Sequence, residues 1–228
     1  EYPGDVLAAL RKVTVPSALI QSLLANGATK AVTFEPADQI AGLPLPHPCD
    51  FEWRFTRATA TAVLTRVCDC TKPGEAILLV GMPSLVVAAM NSDINRHWNV
   101  LGTDDIVWSV LKELTSGDTR FSHDAPRPVR PATAAIVDPP WYPSAYIELF
   151  HAFVGSCAIG AQIFVGVPPA GARPNAAVDV QRMIETGTDF GLAFRSIERS
   201  ALRYRSPAFE LAALAEAGLL AHLPEWRR

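Results

Sequence analysis

The sequence predicts an α/β fold with a mainly parallel β-sheet, closed by a C-terminal antiparallel hairpin and preceded by a small helical N-terminal segment. From residue 72 onward, short apolar runs alternate with segments of helical spacing, which is typical of β–α–β units. Residues 76–80 are continuously apolar, as a strand buried on both faces requires. A chain of 228 residues, 49% of them hydrophobic, is also large enough for one substantial core.

Two parts of different character are expected along the chain. Residues 1–48 are predicted to form the helical segment and its linker, because two stretches have helical spacing and a proline-rich stretch follows them. Residues 49–228 are predicted to form the α/β domain. The helical stretches are 5–13 and 15–25, and the linker is 36–48.

The α/β domain is predicted to contain five strands connected mainly by helices. Because the carboxyl ends of parallel strands meet at one edge of a sheet, the polar residues that follow them are expected to line a common rim. The predicted strands are 76–80, 98–101, 120–122, 132–137 and 161–167; the helices are 56–67, 85–90, 106–114, 145–154 and 208–217; the hairpin strands are 190–197 and 201–205.

Composition and charge narrow the class of protein. With 19% charged residues and a net charge of −3, the chain has no overall electrostatic footprint for nucleic acid, so any such contact must come from a local patch. The four cysteines lack a CxxC pair, and we expect reduced thiols in a cytoplasmic protein without a signal peptide or a membrane span. Because the chain begins at Glu1, it is expected to be a processed product or part of a longer protein.

The most informative stretch is Asp138-Pro139-Pro140-Trp141-Tyr142, which follows the apolar run 132–137. A site that alkylates an NH2 group needs acceptors for both hydrogens and a platform for the planar group. Asp138 offers one acceptor, and the Pro139 carbonyl, held by fixed proline φ angles, offers the second. Trp141 or Tyr142 can stack on the bound group. The alternative is a proline-rich turn with a capping Asp and a buried Trp.

This pentapeptide resembles the fourth motif, [DNS]-P-P-[YFW], of class I S-adenosylmethionine-dependent amino methyltransferases. It is also similar to the D-P-P-Y segment of the branched-polyamine synthases, which are aminopropyltransferases of the same fold. The resemblance covers residues 72–217 and implies a Rossmann-like methyltransferase domain that uses S-adenosylmethionine. It also implies catalytic roles for Asp138, Pro139, Trp141 and Tyr142.

The same resemblance implies where the cofactor binds. Gly81, with Pro83 and Ser84, would lie against its amino-acid part. Asp104 or Asp105 would accept hydrogen bonds from the ribose, and Asp124 would face the adenine; each Asp is equally consistent with a helix cap or a turn. The segment after Gly81 departs from both families, since it lacks the second glycine of a GxG loop and the acidic run of the polyamine synthases.

Substrate contacts are expected from Trp53, Arg54, Arg173 and Tyr204. Residues 51–55 alternate apolar and charged side chains, which predicts either a lid over the substrate or a strand that packs Phe51, Trp53 and Phe55 inward. His123 and His151 have no partners at ligand spacing, and no metal site is predicted. The hairpin also carries an arginine cluster that is either a phosphate-contacting patch or the solvent face of an edge hairpin. Its members are Arg195, Arg199, Arg203 and Arg205.

Three functions remain open from the sequence. The first is an N-methyltransferase whose acceptor is a base, an amide or a small amine, with nucleic acid or a nucleotide among the candidate partners. The second is an aminopropyltransferase of the polyamine type, which the missing acidic run disfavours. The third is a catalytically inactive member that serves as a binding or assembly module, alone or with a partner subunit. No membrane partner is expected.

Overall fold

The computed structural model describes residues 43, 54–102, 105–123, 130–169, 172, 174–206 and 208–223. The predicted N-terminal helices, and the 36–48 linker apart from Leu43, lie outside these ranges; Leu43 is buried in the core. The strands are β1 (Arg54–Phe55), β2 (Ala76–Val80), β3 (His97–Leu101), β4 (Phe121–Ser122), β5 (Ala132–Val137), β6 (Cys157–Val165) and β7 (Tyr204–Arg205). The helices are α1 (Arg57–Cys70), α2 (Pro83–Met90), α3 (Asp105–Thr115), α4 (Pro143–Phe153), α5 (Ala176–Asp189) and α6 (Ala208–Glu216).

Five strands form one parallel sheet in the order β4-β3-β2-β5-β6. The chain starts in the middle strand, β2, builds outward through β3 and β4, and then returns to the other side of β2 with β5 and β6. The strand order therefore reverses between β2 and β5, where open sheets of this kind bind their ligands. The prediction of an α/β fold is confirmed, and the topology is that of a Rossmann-like sheet.

The sheet forms the centre of the core because its middle strands have no polar face. All five residues of β2 are buried, and so are all residues of β5 except Thr133. Helix α2 is apolar nearly all round, since it packs between neighbouring elements and not only against the sheet. Helix α1, helix α3 and strand β1 cover it.

A C-terminal antiparallel strand pair is present, but the predicted partner of its last strand is wrong. Residues 190–197 belong to no strand, and β7 pairs instead with β1 as an antiparallel ribbon that joins Phe55 to Tyr204 and Arg54 to Arg205. Two hydrogen bonds at the start of α1 hold β7 there: the Arg203 N–H donates to the Thr59 hydroxyl at 3.0 Å, and the Arg203 carbonyl accepts from the Thr56 N–H at 3.0 Å. These hydrogen bonds hold β7 beside β1, which is far away in sequence, and not beside residues 190–197.

Two further elements differ from the expectation. Strand β6 occupies residues 157–165 and not 161–167. The Gly166 N–H still donates to the Val137 carbonyl of β5 at 2.8 Å, and the prolines that follow soon after have no N–H with which to continue the ladder. Helix α5 had no predicted counterpart. The inward alternation expected for residues 51–55 also fails in part, since Arg54 and Phe55 are both buried; Phe51 and Trp53 lie outside the described residues.

Within the described ranges, no helix has both the length and the apolar character that crossing a bilayer would require.

Candidate functional site

Gly81 and Asp138 lie next to each other where the strand order reverses. They follow β2 and β5 directly, and the Asp138 N–H donates to the Val80 carbonyl at 3.3 Å, which extends the pairing of these strands by one step. Gly81 has a φ of +68°, and a Cβ added there would lie 3.2 Å from the backbone oxygen of Asp138. Glycine is therefore favoured on two grounds, its left-handed backbone and the close approach of the Asp138 peptide.

The Asp138 carboxylate is held by two aromatic side chains. The Tyr204 hydroxyl donates to Oδ1 at 2.9 Å, and the Trp141 side chain also donates to the carboxylate. Gly166, which follows β6, leaves the space that this carboxylate needs, because a Cβ at Gly166 would overlap Asp138 Oδ1. The Tyr146 hydroxyl donates to the Gly166 carbonyl at 3.1 Å and fixes that glycine in turn.

Burial makes this carboxylate unusually basic. It raises the pKa of Asp138 to about 7, against the hydrogen bonds from Tyr204 and Trp141, which lower it. The Asp138 residue nevertheless keeps part of its surface open and is only half-buried. The pKa of Tyr204 is raised well above its usual value, first by burial and then by the charge of Asp138. Asp138 is thus divided between its acid and carboxylate forms near neutral pH, while Tyr204 stays a proton donor.

An aromatic cluster covers one side of the carboxylate. Tyr204 lies between Phe55 and Trp141, with ring centroids at 5.2 and 5.8 Å, and all three residues are buried. The Trp141 ring therefore packs on Tyr204, and the half-buried Tyr142 is the more accessible platform for a ligand. Tyr142 precedes helix α4, which begins at Pro143.

The Pro139 carbonyl is the second acceptor that the sequence predicts, and the Pro139 residue is buried. Within the described part of the chain, no hydrogen bond reaches the Pro139 carbonyl. The neighbouring Pro140 carbonyl differs, since it accepts the Tyr142 N–H at 2.7 Å. The carbonyl of Pro139 therefore keeps its capacity to accept a hydrogen bond from a ligand.

The segment after Gly81 turns its side chains into the protein. Met82, Pro83 and Ser84 are all buried at the start of α2, and the Ser84 hydroxyl accepts the Phe55 N–H at 3.1 Å. This bond docks the β1–β7 ribbon onto α2. At this edge, ligand contacts beyond Gly81 would therefore come from backbone groups and not from these three side chains.

Other predicted site residues lie beside the site or outside the described ranges. Arg54 is 6% exposed and lies directly opposite Arg205 on the ribbon. Because successive residues of a strand point to opposite faces, Arg54 faces away from the side on which Phe55 meets Tyr204. Asp105 begins α3, but its side chain is not described. Trp53, Asp104, Asp124 and Arg173 lie outside the described residues.

Gly166 and Phe55 are parts of the site that were not predicted from the sequence. A glycine directly after a buried strand and before Val167-Pro168-Pro169 was the available signal for Gly166, since such glycines mark close approach of another group. Nothing local indicated that Phe55 would contact Tyr204.

A second cluster lies at the ends of β3 and β4. The Trp108 ring packs over Gly102 and edge-on to His123 at 4.9 Å, and His123 Nε2 hydrogen-bonds the Thr115 hydroxyl at 2.5 Å. A shallow cleft of about 440 Å³ opens beside it, lined by residues of α3, β4 and the turn between them. The other histidine considered, His151, packs edge-on against Phe190 at 4.6 Å. Both histidines thus pack edge-on against an aromatic ring.

Comparison with known proteins gives no family assignment: no model of a protein family matches the sequence, and no curated protein matches it.

Proposed function

We propose that the protein is an S-adenosylmethionine-dependent N-methyltransferase in which Asp138 and the Pro139 carbonyl orient an amino nitrogen. The observation that carries the proposal is the contact between Gly81 and Asp138 at the reversal of strand order. The backbone of Gly81, which has no side chain to keep a ligand away, and the carboxylate of Asp138 therefore lie on the same rim of the sheet. This is the arrangement that the resemblance in residues 138–142 leads one to expect.

The residues at this rim fit such a cofactor in part. Gly81 has no side chain to keep a ligand away, although the Asp138 backbone oxygen lies on the side that a Cβ would fill, and Asp104, Asp105 and Asp124 follow β3 and β4 in the sequence. Ser84 does not fit a direct side-chain role, because its hydroxyl already binds the Phe55 N–H. When bound, S-adenosylmethionine would supply a methyl group carried on a positively charged sulfur. The thioether that remains after the transfer is a good leaving group.

Asp138 would act on the acceptor in two ways. In its ionised form it accepts a hydrogen bond from the amino group, and together with the Pro139 carbonyl it fixes the direction of the nitrogen lone pair. A nitrogen that gains a carbon substituent becomes cationic and must lose a proton. A carboxylate with a pKa of about 7 is basic enough to receive that proton, whereas an ordinary aspartate is a weaker base.

Tyr204 and Trp141 would position the carboxylate without touching the substrate. Their hydrogen bonds occupy part of its acceptor capacity, but a carboxylate has about four lone-pair sites and retains room for one more donor. Gly166 leaves the carboxylate its space, because a Cβ at that position would overlap Oδ1. Tyr142 is the side chain of this group best exposed for stacking.

A second candidate, a binding or assembly module without activity, is favoured by one observation. The side chains of Met82, Pro83 and Ser84 are buried, so that edge offers a ligand fewer contacts than an open glycine-rich loop would. The polyamine alternative gains no such support, because these three residues bring no acidic side chain to attract a cationic amine.

Calorimetry with S-adenosylmethionine, its homocysteine product and the decarboxylated cofactor tests the proposal. We expect saturable binding of the first two and weaker binding of the third. The absence of binding to all three would refute methyl transfer and leave the module.

The variant Asp138→Ala separates catalysis from cofactor binding. We expect methyl transfer to fall by about 10²-fold or more, because orientation and proton acceptance are both lost, with cofactor affinity nearly unchanged. Asp189→Asn is the matched control, since Asp189 is exposed at the end of α5, and it should leave activity unchanged. Full activity in Asp138→Ala would show that the pocket has been wrongly assigned.

A further inference from the structure

The Gly166 peptide, which borders the Asp138 carboxylate, is held by a hydrogen bond on each side. Its N–H donates to the Val137 carbonyl at 2.8 Å, and its carbonyl accepts the Tyr146 hydroxyl at 3.1 Å. The first bond comes from the last residue of β5, directly before Asp138, and the second comes from α4. Since glycine has no side chain to anchor it, these two bonds fix the place of this peptide.

One oxygen of the Asp138 carboxylate lies between the Gly166 peptide and Tyr204. A Cβ at Gly166 would overlap Oδ1, and the same oxygen accepts the Tyr204 hydroxyl at 2.9 Å. A small displacement of the Gly166 peptide would therefore either press on Oδ1 or leave a gap behind it. In both cases the direction of the carboxylate changes, because closely packed groups leave one another little room for independent adjustment.

Tyr146 is well placed to hold this peptide. Its side chain is 1% exposed and lies on the buried face of α4 with Phe150 and Phe153, one and two turns further along the helix. Its backbone N–H donates to the Tyr142 carbonyl at 3.3 Å, so the ring projects from the first turn of the helix. Because a tyrosine side chain has only two heavy-atom torsions, packing of the ring also fixes the hydroxyl oxygen.

The hydroxyl of Tyr146 does more than fill space, since a phenylalanine ring would occupy the same volume. It supplies a donor to the carbonyl of Gly166, which is itself buried and poorly placed to bind water instead. The hydroxyl is also near the second phenol of the site. Burial raises the pKa of Tyr204 most, the charge of Asp138 adds to the effect, and Tyr146 adds to it further.

We propose that Tyr146 is a positioning residue that acts on the Asp138 carboxylate through the Gly166 peptide and thereby aligns the acceptor nitrogen; this last consequence rests on the proposed function. The Tyr146 hydroxyl is buried against Gly166 and has no need to touch the acceptor. Its loss should therefore disturb alignment and not affinity. The helix that follows residues 138–142 thus stabilises the geometry of that segment by way of the end of β6.

The variant Tyr146→Phe tests the inference first without cofactor or acceptor, by NMR of the Asp138 carboxyl carbon during a pH titration. A carboxylate that is free to turn makes a weaker hydrogen bond with Tyr204. Because that bond favours the charged form, the titration midpoint should rise by about half a pH unit. Phe150→Leu is the matched control, since it alters the same buried face of α4 but packs against Phe190, and it should leave the midpoint unchanged.

A double variant shows whether the effect passes through Gly166. In Gly166→Ala the new methyl group displaces the carboxylate, so the Tyr146 hydroxyl no longer sets its position. Adding Tyr146→Phe to Gly166→Ala should therefore leave the midpoint where Gly166→Ala alone puts it. A further rise as large as that of Tyr146→Phe alone would show that the two positions act independently, and would overturn the proposal.

The methyl-transfer assay then measures the effect on alignment. In Tyr146→Phe, kcat should fall by about tenfold while KM and cofactor affinity stay nearly the same, because loss of orientation slows the chemical step. An unchanged kcat in an active enzyme would overturn the effect on the acceptor.

The role of Tyr146 itself is overturned if the Asp138 midpoint is the same in Tyr146→Phe as in the unaltered protein, or if Phe150→Leu moves it equally. In either case, methyl transfer by the unaltered protein would leave the proposed function standing. A midpoint that rises as expected in a protein that transfers no methyl group would keep the role of Tyr146 and remove the proposed function.

Discussion

At the scale of single residues, the central feature is the protonation of Asp138. Burial favours the neutral acid, and the hydrogen bonds from Tyr204 and Trp141 favour the carboxylate; burial is the larger effect and leaves the pKa at about 7. The sequence indicated the residue but not its basicity, because basicity depends on what surrounds the side chain. Two predictions follow from this balance.

The stability of the protein should depend on Asp138 between about pH 4 and about pH 7. The folded-state pKa lies above the unfolded value of about 3.9, so the folded protein binds more protons in this window and its free energy of unfolding falls as the pH rises. Asp138→Asn removes this dependence, which is on the order of a few kcal/mol. Urea denaturation at about pH 5 and about pH 8 measures it, with Asp189→Asn as the control. An unchanged slope in Asp138→Asn would contradict the raised pKa.

Methyl transfer should increase with pH as Asp138 ionises, with a midpoint near 7 in kcat/KM. Tyr204→Phe removes a hydrogen bond that lowers the pKa of Asp138, so the midpoint should move to higher pH. A purely structural role for Tyr204 would reduce activity without moving the midpoint. A midpoint that stays fixed or moves down would therefore reject the positioning role of Tyr204.

At the scale of elements, the site depends on how strand ends and the β1–β7 ribbon meet. β6 ends at Val165, so Gly166 lies beside Asp138, and the ribbon brings Phe55 and Tyr204 over the carboxylate. Two substitutions test these contacts separately.

Gly166→Ala should displace the Asp138 carboxylate, because the new methyl group overlaps Oδ1. We expect a loss of about 1–3 kcal/mol in the free energy of unfolding together with a loss of methyl transfer. Gly155→Ala is the matched control, since a Cβ at Gly155 meets nothing within 4 Å. Chemical denaturation and activity assays on both variants test this prediction. Equal stability and equal activity in Gly166→Ala and Gly155→Ala would contradict the close packing of Gly166 against Asp138.

Ser84→Ala should loosen the ribbon, because it leaves the buried Phe55 N–H without its acceptor. The expected cost is about 1–3 kcal/mol in the free energy of unfolding. Ser196→Ala, at an exposed position between α5 and β7, should cost close to nothing. Faster hydrogen exchange at Phe55 in Ser84→Ala would localise the effect, and unchanged exchange would show that Ser84 does not dock the ribbon.

At the scale of the whole molecule, the elements that the sequence predicted best are those buried on both faces. Strands β2 and β5 match their predicted bounds, because a strand inside a parallel sheet must be apolar along its whole length. Helix α5 was missed because its buried positions include Ala176, Asp179 and Gly187, which give little apolar signal, while the apolar Val178 is exposed.

The sequence by itself determined the alternation of strands and helices, the carboxylate and prolines after β5, and the glycine after β2, since each follows from local composition and backbone preference. The tertiary structure decided the strand order that sets Gly81 against Asp138, the pairing of β7 with β1, and the hydrogen bond between Tyr204 and Asp138. These contacts join residues far apart in the chain, and they depend on burial and packing geometry that no local pattern encodes.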